Sequence, residues 1–188
     1  MATPPTFTTG QVLTAAQMNT VGMFKIAEQT VSSATQFVFD NIFTSDYLNY
    51  YCTVTITGAT STSMLFWQER AGGVNASTAY SYAGSAVYLS GGSGFQNILA
   101  GQALGQGAVG SFDGASGSQG LMAFEICAPQ TSTYTAVTGR FSVTTGNTGM
   151  YSGTVGSVHY VTNTYDGMRL FVGLGNFSGT CRVYGIRN

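Results

Sequence analysis

Side chains able to carry chemistry are few in this chain, and they lie far apart. His159 is the only histidine, and imidazole changes charge most readily near neutral pH, so acid–base catalysis would most easily run through it. It stands in Ser157-Val158-His159-Tyr160-Val161, where strand alternation puts it on one face with Ser157 and Val161, the setting of a half-buried structural imidazole. No Gly-x-Ser-x-Gly elbow occurs, and Asp166 alone does not complete a triad. Cys52, Cys127 and Cys181 are odd in number, lack metal-like spacing and each sit in an apolar strand pattern. Three buried free thiols are expected, with no metal and no cofactor.

Two opposite charges invite a different reading. Arg140 is the only charge between Glu125 and Asp166. Glu125, in LMAFEICA, and Arg140, in AVTGRFSV, would face each other across a hairpin and stabilise it modestly. In an oligomer the pair would instead bridge subunits and fix register, and a third use is to grip a ligand. A formal G-x-G-x-x-G occurs at Gly105, Gly107 and Gly110, with Glu125 at the distance a dinucleotide fingerprint asks for. The segment that follows, SFDGASGSQG, cannot open the helix whose amides meet a pyrophosphate. Among 26 glycines such a match arises by chance, and residues 91–120 are expected to form a long, mobile loop with at most one weak strand at 95–99. Asn75 and Asn176 match glycosylation acceptors, which carry no weight without a secretory signal, and both simply suit turns.

Tyrosines crowd the strand ends: Tyr47, Tyr50, Tyr51, Tyr80, Tyr82 and Tyr88. A phenol ring offers an apolar plate with a polar tip, suited to stacking on sugars and equally to subunit interfaces. Tyr47, Tyr80, Tyr82 and Tyr88 are the candidates for glycan contact.

The elements that must position these groups are strands. Short segments rich in Val, Ile, Phe, Tyr and Thr alternate with Gly, Ser, Asn and Asp clusters. Ten strands are expected: 24–30, 36–42, 50–57, 63–69, 79–89, 119–128, 133–144, 157–161, 168–173 and 179–187. Phe37 and Phe39 flank Val38, and Cys181 and Val183 share a face opposite Arg182 and Tyr184, so one face of each strand is core. SMLFWQE (63–69) and MRLFVGL (168–174) are apolar on both faces, which calls for cover from a second layer or from another copy of the chain. The fold class is all-β, an antiparallel jelly-roll-like β-sandwich over residues 24–188, preceded by an arm at 1–23.

Within the arm, Pro4 and Pro5 extend the backbone, Gly10 lets it turn, and Thr14 caps one helical turn at 15–19. So short a turn must dock on something. The run FTTGQVLTAAQMN, Phe7 to Asn19, resembles the N-terminal segment of tail-fibre and minor tail proteins of tailed bacteriophages. Ser178 to Asn188, SGTCRVYGIRN, is similar to the closing strand of small phage virion proteins. The resemblance implies a virion component, a homotrimer that docks on a larger tail or capsid protein through arm residues Phe7, Val12, Leu13, Met18 and Asn19.

Composition agrees with life in an assembly. Only 7% of residues are charged and the net charge is −1, against about a quarter charged in ordinary soluble domains. Few charges leave a free surface prone to self-association. Five Arg and one Lys, scattered singly, make nucleic acid a poor partner. No apolar run is long enough to span a membrane, and no basic segment precedes an apolar block, so neither membrane insertion nor a signal peptide is expected. The expected site is the virion, after synthesis in the host cytoplasm. Three functions follow: a tail-fibre or tail-tip module touching the host, a capsid decoration protein tying shell subunits together, and, last, a glycan depolymerase, for which seven mostly isolated acidic residues offer no obvious carboxylate pair. The expectation is therefore a non-enzymatic binding protein.

Overall fold

The computed structural model describes residues 10, 22–89, 93–145 and 149–186, without the side chains of residues 88, 89 and 93–103. The arm residues Phe7, Val12, Leu13, Met18 and Asn19, and the helical turn expected there, lie outside the described residues.

Thirteen strands are described: β1 (Met23–Ala34), β2 (Gln36–Phe39), β3 (Asn49–Ala59), β4 (Ser63–Ala71), β5 (Val74–Asn75), β6 (Tyr80–Leu89), β7 (Ser93–Leu104), β8 (Gly107–Phe112), β9 (Gly120–Cys127), β10 (Thr135–Thr145), β11 (Gly149–His159), β12 (Gly167–Val172) and β13 (Phe177–Ile186). The first sheet runs β1-β13-β3-β9-β10-β11-β6-β7, and the second holds β2-β12-β4 with β8 and the short β5 both paired to β4. All pairings are antiparallel. Taking β1, β2, β3, β4, β8, β9, β12 and β13 as a framework and counting in chain order, the sheets read 1-8-3-6 and 2-7-4-5. That is the double Greek key of a jelly roll. Two insertions, β6–β7 and β10–β11, lengthen the first sheet on one side only, while β5 extends β4 in the second.

Alternation explains the packing. Tyr50, Cys52, Val54 and Ile56 of β3, Met122, Phe124 and Ile126 of β9, and Cys181 and Val183 of β13 point inward and are buried. Phe37 and Phe39 of β2, Leu65 and Trp67 of β4 and Met168 and Leu170 of β12 meet them from the second sheet. Each such side chain contributes about 1.5–3 kcal/mol on burial.

The stretch expected to be a mobile loop instead carries β7 and β8. β8 lies in the second sheet against β4, its residues almost all buried. Its glycines act as spacers: a Cβ added at Gly107 would collide with the Trp67 indole and the Ser157 hydroxyl, and one at Gly110 would lie 2.8 Å from the Met122 sulfur. Glycine in a strand marks close approach as readily as flexibility, and here it marks the former. β11 also begins eight residues before the expected 157, because its first half, Gly-Met-Tyr-Ser-Gly-Thr, lacks the apolar alternation that identifies a strand.

The strands apolar on both faces receive their second cover from the chain itself. Phe66 and Phe171 lie 5.8 Å apart on the outer side of the second sheet, with Tyr82 6.2 Å from Phe66. The Arg169 guanidinium sits 4.2 Å over the Phe171 ring and donates to Gln68 Oε1 at 2.6 Å. Gln68 in turn donates to the Gly105 carbonyl at 2.5 Å, which ties the link between β7 and β8 to this face.

Candidate functional site

The outer face of the first sheet is a lattice of short side chains. Across β3, β9, β10, β11 and β6, one row reads Thr55, Leu121, Ser142, Ser152 and Val87. The next reads Thr53, Ala123, Arg140, Thr154 and Ser85, and the third Tyr51, Glu125, Thr138, Gly156 and Ala83. Inward neighbours on these strands are core residues such as Met122, Phe141 and Val155, so alternation alone places the rows outside.

Small side chains flanked by larger ones leave a hollow. A depression of about 630 Å³ lies over the first two rows, walled by Tyr51, Leu121, Val87 and Arg140. A second, of about 370 Å³, reaches Glu125 and Thr138 and shares Tyr51, Ala123, Arg140 and Thr154 with the first. The two form one trench. The Tyr51 ring is flanked by Tyr184 at 6.5 Å.

Glu125 and Arg140 are both exposed and stand one ladder step apart on the diagonal, Glu125 opposite Thr138 and Arg140 opposite Ala123. The hairpin ion pair expected within the chain does not form: among the described residues the ion pairs are Lys25–Glu28, Arg70–Asp40, His159–Glu69 and Arg182–Glu28. Diagonal rather than direct opposition explains it. Neither group has an ion-pair partner among the described residues.

The tyrosines proposed for glycan contact do not gather there. Tyr80 is fully buried, its hydroxyl accepting from Glu69 N–H at 3.0 Å and donating to the Ala76 carbonyl at 3.2 Å, so it cannot stack on a sugar. Tyr47 packs with Phe24 and Tyr50 over Gly185, and Tyr82 packs on Phe66. Tyr47 precedes β3, whereas Tyr80, Tyr82 and Tyr88 belong to β6, on the far side of β9, β10 and β11 in the sheet. The Tyr88 side chain lies outside the described residues.

His159 is fully buried rather than half-buried, and its partner was not foreseen. Its Nδ1 lies 2.5 Å from Glu69 Oε2, and both side chains are shut from solvent. The ring stacks on Tyr80 at 4.1 Å and 9° and meets Tyr165 at 5.3 Å. Burial pushes the Glu69 carboxyl above its ordinary range, with His159 and Thr135 pulling partly back. Next to the pair, Trp67 Nε1 donates to Ser157 Oγ at 2.9 Å, and Ser157 donates to the Ser81 carbonyl at 3.0 Å. The signal was present: Glu69 is in phase with Leu65 and Trp67, which aims a carboxylate into the core.

Glu28 pairs with Lys25 and Arg182 along β1 and β13, and three aspartates serve turns. Asp40 accepts from Arg70 Nε at 2.6 Å, Asp113 from the Thr62 hydroxyl at 2.5 Å, and Asp166 from Gly72 N–H at 2.9 Å. Arg70 also donates to Asn75 and to the Gly73 carbonyl, clamping the β4–β5 hairpin. Among the described residues no group of three or more His, Cys, Asp or Glu could hold a metal ion, and no helix is long and apolar enough to cross a membrane. Cys52 and Cys181 are buried free thiols whose pKa burial raises, but Cys127 is exposed. It falls on the outward phase of β9 with Leu121 and Glu125, which overturns the expectation of three buried thiols.

The chain matches no protein-family model and no curated protein.

Proposed function

We propose that this chain is a structural protein of a tailed-bacteriophage virion: a homotrimeric tail-fibre or tail-tip module that docks on a larger tail protein through residues 1–23 and turns its jelly roll toward the host. The phage assignment is supported by the two terminal segments that resemble virion proteins. The binding role is supported by one structural observation, the trench on the outer face of the first sheet, where Glu125 and Arg140 find no ion-pair partner among the described residues. A capsid decoration protein would use the same arm and self-association, three arms on one trimer multiplying a modest affinity, but it has no need of a ligand-sized hollow. The trench therefore favours the tail.

Quantitative mass spectrometry of purified virions tests this reading. A few to a few dozen copies per particle are expected, whereas hundreds would make it a shell component and its absence would remove it from the virion. Deleting residues 1–19 leaves a folded trimer that no longer joins particles. A deletion that unfolds the domain would show the segment to be core.

A further inference from the structure

The trench holds the parts of a sugar site and lacks those of a site for a charged ligand. Tyr51, flanked by Tyr184, supplies a flat ring on which the C–H face of a pyranose can lie. Glu125, directly opposite Tyr51 in the ladder, supplies acceptors for hydroxyl donors, and Arg140, one step further, supplies only donors. The hydroxyls of Thr53, Ser85, Ser142, Ser152 and Thr154 line the same hollow, and no hydrogen bond among the described residues uses them. The combined hollow is within the range of small-molecule sites, about 300–1,000 Å³. One carboxylate and one guanidinium a single ladder step apart cancel at a distance, so the trench does not attract a polyanion.

We propose that the trench formed by β3, β9, β10, β11 and β6 binds a neutral oligosaccharide, with Tyr51 as stacking plate, Glu125 as hydroxyl acceptor and Arg140 as donor. This specifies the ligand class behind the host contact and rests on that reading. It moves sugar recognition from Tyr47, Tyr80, Tyr82 and Tyr88 to a different set of residues. The site is shallow and open, so a single trench binds weakly, and three on one trimer gain by avidity.

The test is titration of the full-length, isotope-labelled protein with neutral tetra- to hexasaccharides of glucose, galactose, mannose, rhamnose and N-acetylglucosamine, alongside sialylated and sulfated glycans. One neutral member should shift the amides of Thr53, Ala123 and Thr154, and raised salt should leave its affinity unchanged. Tyr51→Ala, Glu125→Gln and Arg140→Ala should each weaken it by roughly tenfold or more, since each removes a stacking surface or a hydrogen bond to a charged group. Glu125 and Arg140 are exposed, so those two variants keep the wild-type melting temperature and their loss of binding is not a loss of fold. Ser142→Trp should fill the hollow and abolish binding. The proposal is overturned if no neutral glycan shifts those amides, if charged glycans are preferred, or if binding survives all of the substitutions. It is equally overturned if Glu125→Gln or Arg140→Ala dissociates the oligomer, because a second copy would then cover the trench. Presence of the protein in purified virions is read separately, so failure of the sugar site leaves the virion assignment standing or falling by itself.

Discussion

Replacing His159 with leucine strands a carboxylate in the core. Glu69 is fully buried with its Oε2 2.5 Å from the imidazole, and Oε1 has no hydrogen-bond partner among the described residues. Without the imidazole, the folded protein must keep Glu69 protonated, while the unfolded chain releases that proton above the ordinary value of 4.5. The folded pKa is raised, so stability is fully present below pH 4.5 and drains away as pH rises. The slope is about 1.4 kcal/mol per pH unit for as long as the folded state holds the proton. The loss should approach the roughly 3–5 kcal/mol that follows removal of one partner of a buried pair. Wild type falls less steeply, because the hydrogen bond from the imidazole favours the ionised carboxylate. Trp67, the only tryptophan, is buried with its indole 5.2 Å from Tyr80 and provides a fluorescence signal for urea unfolding at pH 5, 6 and 7. The double replacement Glu69→Leu with His159→Leu should abolish the extra pH dependence and recover most of the loss. A His159→Leu variant whose stability has the same pH slope as wild type would refute the reasoning.

Three further outcomes follow from the packing. Gly107→Val drives methyl groups into the Trp67–Ser157 hydrogen bond and should lower stability by about 1–3 kcal/mol or more in urea titration; an unchanged midpoint would show that β8 does not lie against β4. Iodoacetamide should label Cys127 alone in the native protein and all three cysteines in urea, read by intact mass, because Cys52 and Cys181 are sealed in the core. Ala128 holds φ 57°, a left-handed conformation costing about 1–2 kcal/mol for a residue with a side chain, so Ala128→Gly should raise the melting temperature by a few degrees despite glycine's greater entropy loss; a lower melting temperature would argue against the strain.

The sandwich was legible because alternation survives wherever a strand has one core face: the Phe37/Phe39 and Cys181/Val183 pairs fall where the pattern puts them. β8 was not legible, since Gly107, Ala108 and Gly110 are short for the sake of Trp67 and Met122, and a spacer looks like a hinge until its neighbours are known. Greasiness on both faces of β4 and β12 suggested contact with other copies, yet Arg169, Gln68 and Tyr82 supply cover from within. The buried Glu69–His159 pair joins residues 90 apart in sequence, and only one of the two carries a local hint. The trench was hidden for a similar reason: Tyr51, Glu125 and Arg140 become neighbours only through the order β3-β9-β10, which no single strand encodes.

The partnership of β1 with β13 sets Met23 beside Ile186, and it governs how the molecule comes into being. While the polypeptide is still emerging from a ribosome, β1 waits exposed until β13 has been made, and β3, flanked in the finished sheet by β13 and β9, waits with it. Such distant pairings make for slow closure and a sticky intermediate. Chaperone dependence during synthesis, and inclusion bodies on rapid expression, are the natural outcome of that wiring.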